Sequence, residues 1–416
     1  MTFNLFTLLF LIAIFSYMLT LLWLNIRQNK AIIHSFGKVP DEFSEKITLE
    51  QHQKAAEYTQ AKLSVNHFEV IFAGIVLLFW TLGGGLNWLD EFWRSLVDDS
   101  LIVGVGFIVS LMIVSTIIDL PFSLYRTFVL EEKFGFNKTT ISTLIGDMFK
   151  GLILMLIIGL PFIYAILYLM DEMGEYWWVT VWLMLTGFSL LMLWIYPTFI
   201  APIFNKFQPL DNPTLKVKID KLLERTGFKS DGVFVMDGSK RSSHGNAYFT
   251  GIGKSKRIVF FDTLLKGMED KEVEAILAHE LGHFHHQHIR KQMIISFLTS
   301  LIGLALLGYL IKQSWFFHGL GISQMSNHSA LVLFSLALPA FSFFIAPISK
   351  AFSRKYEFEA DTFAAKHTNA DDLVSSLVKL YRDNASTLTP DKLYSAFHDS
   401  HPSASIRINH LKKASI

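Results

Sequence analysis

The chain contains no cysteine. That excludes a thiol nucleophile, a disulfide framework and any zinc finger built on Cys ligands, and it is compatible with a reducing compartment. Charge of either sign is scarce. Asp, Glu, Lys and Arg make up 18% of the 416 residues, against about 25% in ordinary globular domains. The two signs balance to a net +1, so nothing points to nucleic acid as a partner. The chain has no low-complexity tract and no internal repeat, and its last residues carry no prenylation or retention signal.

Apolar residues are abundant. They make up 51% of the chain, with 38 phenylalanines and nine tryptophans, and the mean hydropathy is +0.37. This is the profile of a polytopic membrane protein. Seven runs are long enough to span: Phe3 to Leu24, Phe68 to Leu89, Leu101 to Phe122, Gly151 to Met170, Trp177 to Ile200, Met293 to Ile311 and Leu331 to Ile348. The first lacks a charged leader and a small-residue cleavage site, so it reads as a retained span. Pro121, Pro161, Pro197, Pro339 and Pro347 lie in or at the ends of these runs, where they are expected to kink or stop a helix.

The connections alternate in charge. Residues 25–66 carry Arg27, Lys30, Lys38, Lys46, Lys54 and Lys62, whereas 90–100 carry only Arg94 among four acids. The next connection has Arg126, Lys133, Lys138 and Lys150; the one after has no Lys or Arg. By the positive-inside rule the N-terminus is outside, and 25–66, 123–150, 201–291 and the C-terminal tail are cytoplasmic.

The main polar segment runs from Ala201 to about Lys291. It reads as a helix from Leu215 to Thr226 stopped by Gly227, a strand from Gly232 to Met236, and two strands, Ser243 to Thr250 and Lys256 to Phe261, turning at Gly251-Ile252-Gly253. Then comes A-H-E-L-G-H-F at Ala278 to Phe284. On a helix, His279 and His283 share one face a turn apart and can hold one ion. Glu280 beside them completes H-E-x-x-H: two zinc ligands and a carboxylate able to take a proton from metal-bound water. The surroundings are helical: residues 272–289 lack proline, Val273, Ile276, Leu277, Leu281 and Phe284 form an apolar stripe, and Asp270 is placed to cap the start, with Glu272 and Glu274 in the first turn. His285, His286 and His288 read as solvated or membrane-edge residues. His288-Ile289-Arg290-Lys291 would run straight into the sixth span, putting the ion within about 20 Å of the membrane edge.

A catalytic zinc needs three protein ligands and an open position. A second helical segment after the seventh span, Arg354 to His367, offers carboxylates. Glu357 and Asp361 share a face and Glu359 points nearly the opposite way. Glu357 is therefore the expected third ligand, Asp361 stands behind it to fix a histidine N–H, and Glu359 reads as an exposed residue. The tail from Asp371 onward is polar and helical by pattern, with breaks at Pro390 and Pro402.

With the zinc helix, Y-E-F-E-A-D at Tyr356–Asp361 and His401-Pro402…Arg407, the chain resembles the M48 membrane metallopeptidases, and more closely their Ste24-type CAAX prenyl proteases. The likeness extends over E-E-K-F-G-F-N-K-T-T at Glu131–Thr140, I-A-P-I-F-N-K-F at Ile200–Phe207, G-S-K-R-S-S-H-G-N-A-Y-F-T-G at Gly238–Gly251 and R-I-V-F-F-D-T-L-L at Arg257–Leu265. It implies seven transmembrane helices around an intramembrane chamber, with a small α+β gluzincin-like protease domain on the cytosolic side. The expected division is residues 1–200 for spans one to five, 201–291 for the protease domain, 292–350 for spans six and seven, and 351–416 for a cytosolic segment completing the site. The resemblance implies one zinc ion per chain, Glu280 as base, His401 as donor to the oxyanion, Arg407 as a nearby orienting cation, and Asn246 and Ala247 as backbone contacts for a substrate added as a strand. Glu359 departs slightly from it, since some members carry Gln there.

The expected activity is hydrolysis of a peptide or protein substrate, near a C-terminal prenylated cysteine, as the resemblance implies, or in a membrane-associated substrate without one, with membrane lipid around the chain. A bacterial inner membrane, or the endoplasmic reticulum membrane in a eukaryote, would house it. The rivals are a quality-control metalloprotease, which would have fewer spans; a zinc transporter or channel, which would need ionisable residues along a transmembrane path; and a pseudo-enzyme scaffold, which would have no use for Glu280.

Overall fold

The structure, a computed structural model, describes residues 3–250 and 256–414. Among them, seven helices are long and apolar enough to cross a bilayer: Leu5–His34, Leu49–Trp80, Ser100–Phe134, Ile141–Glu172, Gly174–Phe204, His288–Leu310 and Asn327–His367. Several start on side-chain caps. Asn4 Oδ1 accepts the Thr7 N–H at 3.0 Å and Thr48 Oγ1 that of Gln51 at 3.2 Å, satisfying amides that the helix leaves open. Phe10, Phe107, Phe316, Phe317 and Leu333 pack between the spans, while Ile12, Leu19, Ile75, Ile117, Ile157 and Ile302 stay exposed on them. Apolar side chains facing outward are what a hydrocarbon solvent accepts.

The second apolar run proves to be two elements. The span ends at Trp80, Gly84 turns the chain at φ +80°, and Leu86 and Leu89 belong to a separate amphipathic helix, Gly85–Leu96. Its buried Asp90 joins Arg94 at 2.8 Å and His328 at 2.6 Å, tying it to the head of the seventh span. The prolines do not end the spans. Pro161 lies two residues past a wide turn at Met155–Gly159, and Pro197 lies in another at Tyr196–Ile200. Such π-type turns absorb the amide a proline lacks and let the helix continue. Beyond Pro339 a 3₁₀ turn, Phe343–Ile345, leads directly into Ala346–His367. The segment bearing Glu357 is therefore not a separate helix but the far end of the seventh span.

Outside the spans, β1 (Phe207–Pro209), β2 (Val233–Met236), β3 (Ala247–Thr250) and β4 (Arg257–Phe261) form one sheet in the order β1-β2-β4-β3. β2 and β4 are parallel and the other pairs antiparallel. β3 is shorter than expected, since the strand begins only at Ala247, and among the described residues it lies at an edge. The Gly251-Ile252-Gly253 turn lies outside the described residues. β1 was not foreseen. Helix Pro213–Thr226 ends on Gly227 at φ +66°, the left-handed cap that glycine favours. Ile258 and Phe260 of β4, Ile219 and Leu222 of that helix, and Val273, Leu277 and Leu281 of helix Asp270–His285 make a second core.

Candidate metal centre

Helix Asp270–His285 carries the H-E-x-x-H motif. Its cap is Glu269, not Asp270: the Glu272 carboxylate accepts the Glu269 N–H at 2.8 Å in a reciprocal capping box. Asp270 turns outward and accepts from Thr214 Oγ1 at 2.7 Å. Halfway along, Gly282 meets the seventh span. A Cβ there would stand 2.8 Å from Ala360 Cα and 3.1 Å from Ala360 O. Backbone thus lies on backbone, and Glu357, one turn earlier on that span, is carried to the histidine face.

Ligand atoms of His279, His283 and Glu357 all lie within 4.8 Å of one another. The two Nε2 atoms are 3.2 Å apart; His279 Nε2 is 3.4 Å from Glu357 Oε2 and His283 Nε2 is 3.3 Å from Oε1. Glu357 Oε2 is buried and, among the described residues, has no hydrogen-bond partner. Two imidazole nitrogens converging on a carboxylate, one of whose oxygens makes no hydrogen bond, is an arrangement that a divalent cation satisfies. The residues present fit a metal.

Behind each histidine stands a different support. His279 Nδ1 lies 2.9 Å from Asp361 Oδ1, which leaves Nε2 free to face the centre. Asp361 is fully buried and clasped by Arg407, Nη2 to Oδ1 at 2.5 Å and Nε to Oδ2 at 2.9 Å. Arg407 Nη1 also reaches Glu357 Oε2 at 3.4 Å. Burial and the Arg407 charge disfavour a proton on His279, but Asp361 and Glu357 outweigh them and its pKa is pushed up to about 9. A cation must displace that proton.

His283 Nδ1 lies 3.0 Å from Nδ1 of His288, whose Nε2 is 2.8 Å from Glu359 Oε2. The polarity follows from the acid, which only accepts. His288 donates through Nε2, accepts through Nδ1 from the His283 N–H, and leaves His283 Nε2 with a lone pair. This corrects two expectations: His288 is 2% exposed rather than solvated, and Glu359 is its partner rather than a bystander. The cause is a helix break. Gln287 adopts φ +55°, so the motif helix does not run straight into the sixth span, which starts afresh at His288. His285 remains exposed.

Glu280 sits beside the two histidines on the wall of a cavity of about 750 Å³. Burial raises its carboxyl pKa, Glu357 adds to this, and His279, His283 and Arg407 oppose it. His401 lies across the centre, its Nε2 3.3 Å from Glu357 Oε1 and its side chain 61% exposed. Asn246 and Ala247, at the start of the edge strand β3, line the same cavity. The residues expected to hold the metal, act in catalysis or contact substrate therefore gather in one place.

Residues 28–206 match the family described as CAAX prenyl protease N-terminal, five membrane helices, and 209–415 match peptidase family M48. The chain is 36% identical to the Arabidopsis thaliana protein named CAAX prenyl protease 1 homolog, over 91% of each. It is 33% identical to CAAX prenyl protease 1 of Saccharomyces cerevisiae, over 94% of this chain and 91% of that protein. The crystal structure of S. mikatae Ste24p superposes with a TM-score of 0.91 at 32% identity, over 99% of this chain and 100% of that one. The chain belongs to the CAAX prenyl protease family of M48 peptidases and is a multi-pass membrane metallopeptidase.

Proposed function

We propose that the centre holds one zinc ion on His279, His283 and Glu357 and that the protein cleaves the peptide bond after a C-terminal prenylated cysteine. The observation that carries this is the convergence of three ligand groups, one of them a carboxylate with an oxygen that makes no hydrogen bond, with their ligand atoms within 4.8 Å of one another beside Glu280 and a cavity. The relatives' names supply the substrate class. The basic connections support a cytosolic site, with the N-terminus on the opposite side.

Zinc bound there supplies Lewis acidity, making a water acidic near neutral pH and polarising the scissile carbonyl. Glu280 takes a proton from the attacking water and delivers it to the leaving amine. Its raised pKa suits both halves of that transfer. Asp361 holds the His279 N–H, and Arg407 fixes Asp361 in place through two contacts. His401, open to the cavity, donates to the oxygen on which negative charge develops. A substrate strand pairs with the free edge of β3 past Asn246 and Ala247, which fixes the scissile bond by main-chain hydrogen bonds.

The test is cleavage of a farnesylated CAAX peptide by wild type and Glu280→Ala, with zinc content measured in both. Zinc is expected to stay bound in the variant while the rate falls by about two to four orders of magnitude. Equal rates would remove Glu280 from the mechanism, and absence of zinc from purified wild type would remove the ligand set.

A further inference from the structure

Three cations line the cavity that holds Glu280: Arg407, Arg126 and Lys62. Two have partners. Arg407 is held by Asp361 and Glu357, and Arg126 is ion-paired to Glu69 through two nitrogens. Lys62, on the second span, is different. It is exposed, and among the described residues its ammonium has no ion pair; it lies over the Tyr58 ring, 3.9 Å from the centroid. The nearby acid, Glu131, is already occupied. Its Oε1 accepts from the Tyr58 hydroxyl at 2.5 Å, and its Oε2 lies 3.5 Å from His244 Nε2. An ammonium facing a cavity with no direct ion pair of its own can receive an anion.

Its place relative to β3 says which anion. Tyr58, beneath Lys62, lies with its ring 6.4 Å from that of His244. His244 is three residues before Ala247, so Lys62 stands at the approach to the strand, off its N-terminal end. Among the described residues β3 is bonded to β4 on one side only. A substrate strand added antiparallel to its free edge would run the opposite way, its C-terminus heading past Asn246 and Gly245 toward His244. Three extended residues reach about 10 Å, the same length of chain that separates Ala247 from His244.

We propose that Lys62 receives the free C-terminal carboxylate of the substrate and so sets how many residues lie beyond the scissile bond. This rests on the protease reading above and adds to it a specificity element: an antiparallel substrate whose terminal carboxylate, a short and fixed distance past the cut, meets an unpaired ammonium. Glu131, bonded to Tyr58 and close to His244, attracts Lys62 through space without pairing with it.

The experiment uses the full-length, zinc-loaded protein in detergent micelles. It compares two farnesylated CAAX peptides that differ only at the last residue, one ending in a carboxylate and one in a carboxamide. The readout is the ratio of their kcat/KM values. Wild type is expected to favour the acid by about 10- to 100-fold, the worth of a hydrogen bond between charged groups. Lys62→Met is expected to bring the ratio close to one, Lys62→Glu to reverse it, and Lys62→Arg to preserve it. Lengthening the acid peptide by one residue past the cut is expected to weaken the wild-type preference. A ratio that survives Lys62→Met overturns the proposal, as does an equal loss on both peptides, which would mark Lys62 as structural. Failure of wild type to cut either peptide would overturn the protease reading itself, an outcome visible before any variant is made.

Discussion

The imidazole of His279 leans on a buried ion pair, and that of His283, one turn further along the same helix, leans on another imidazole. On the inner side, Asp361 and Arg407 are nearly inaccessible and bonded through two contacts. On the membrane side, the His288–Glu359 pair ends in a carboxylate 29% exposed. Each support fixes the same tautomer, with Nδ1–H turned away from the centre and Nε2 toward it. The inner one does so with full charges that only their mutual contact makes tolerable. The outer one uses a chain of neutral donors whose last acceptor touches solvent. One half is therefore expected to govern both folding and metal binding, the other metal binding alone.

Breaking the inner support should do most damage. Asp361→Ala strands the Arg407 guanidinium in the interior, and losing one partner of a buried pair costs about 3–5 kcal/mol. Thermal unfolding in detergent should show a large fall in Tm together with loss of zinc. Retained Tm would mean the pair is not needed for the fold. Next, His288→Leu removes the acceptor for the His283 N–H. Zinc affinity, measured by chelator competition, should drop about 10- to 100-fold, as removal of such supporting groups commonly does, with Tm of the zinc-free protein little changed. A comparable drop in Tm would erase the contrast between the halves. Glu359 sharpens the point further. Glu359→Leu should weaken zinc binding by about tenfold or less, whereas Glu359→Gln, whose amide oxygen still accepts from His288, should bind like wild type. Equal losses in both would show that charge, not acceptor geometry, is at work.

The smallest effect belongs to the start of the motif helix, away from both supports. Burial alone would raise the Glu272 carboxyl pKa, but the Lys379 ammonium at 2.7 Å and the Glu269 N–H outweigh it and hold the pKa below the usual value. A carboxyl depressed in the folded state stabilises above its unfolded pKa of about 4.3. That contribution fades as pH falls through the lower folded value. Glu272→Gln should lose about 1 kcal/mol at neutral pH and show a shallower decline in Tm toward acid. An unchanged acid limb would mean the Lys379 contact contributes nothing.

Hydropathy revealed all seven membrane helices because lipid-facing segments are apolar throughout. It misjudged their ends because a helix does not stop where lipid does: the second begins at Leu49, in polar sequence, and the third continues past Pro121 to Phe134. The run that seemed to reach Leu89 was prolonged by Leu86 and Leu89, apolar for a different reason, since they face protein from a separate helix. In the metal centre, residues spaced four apart were legible because one helix places them together. His288 was not. Five positions after His283 it would point about 140° away on a continuous helix, and only the left-handed Gln287 brings it back. Glu359 went unread with it, since its partner was assigned to solvent. A non-glycine residue at positive φ leaves no signature in composition or periodicity.

Gly282 has a consequence for the empty and loaded forms alike. Because Ala360 lies against it with no room for a methyl group, the spacing between the two helices comes from main-chain contact and owes nothing to an ion. Stripping the protein with a chelator should then leave a mould of the same width, ready to be refilled. Activity should return on adding zinc back, with no denaturation and renaturation between, and Gly282→Ala should forfeit that reversibility by prying the carboxylate away from its two imidazoles.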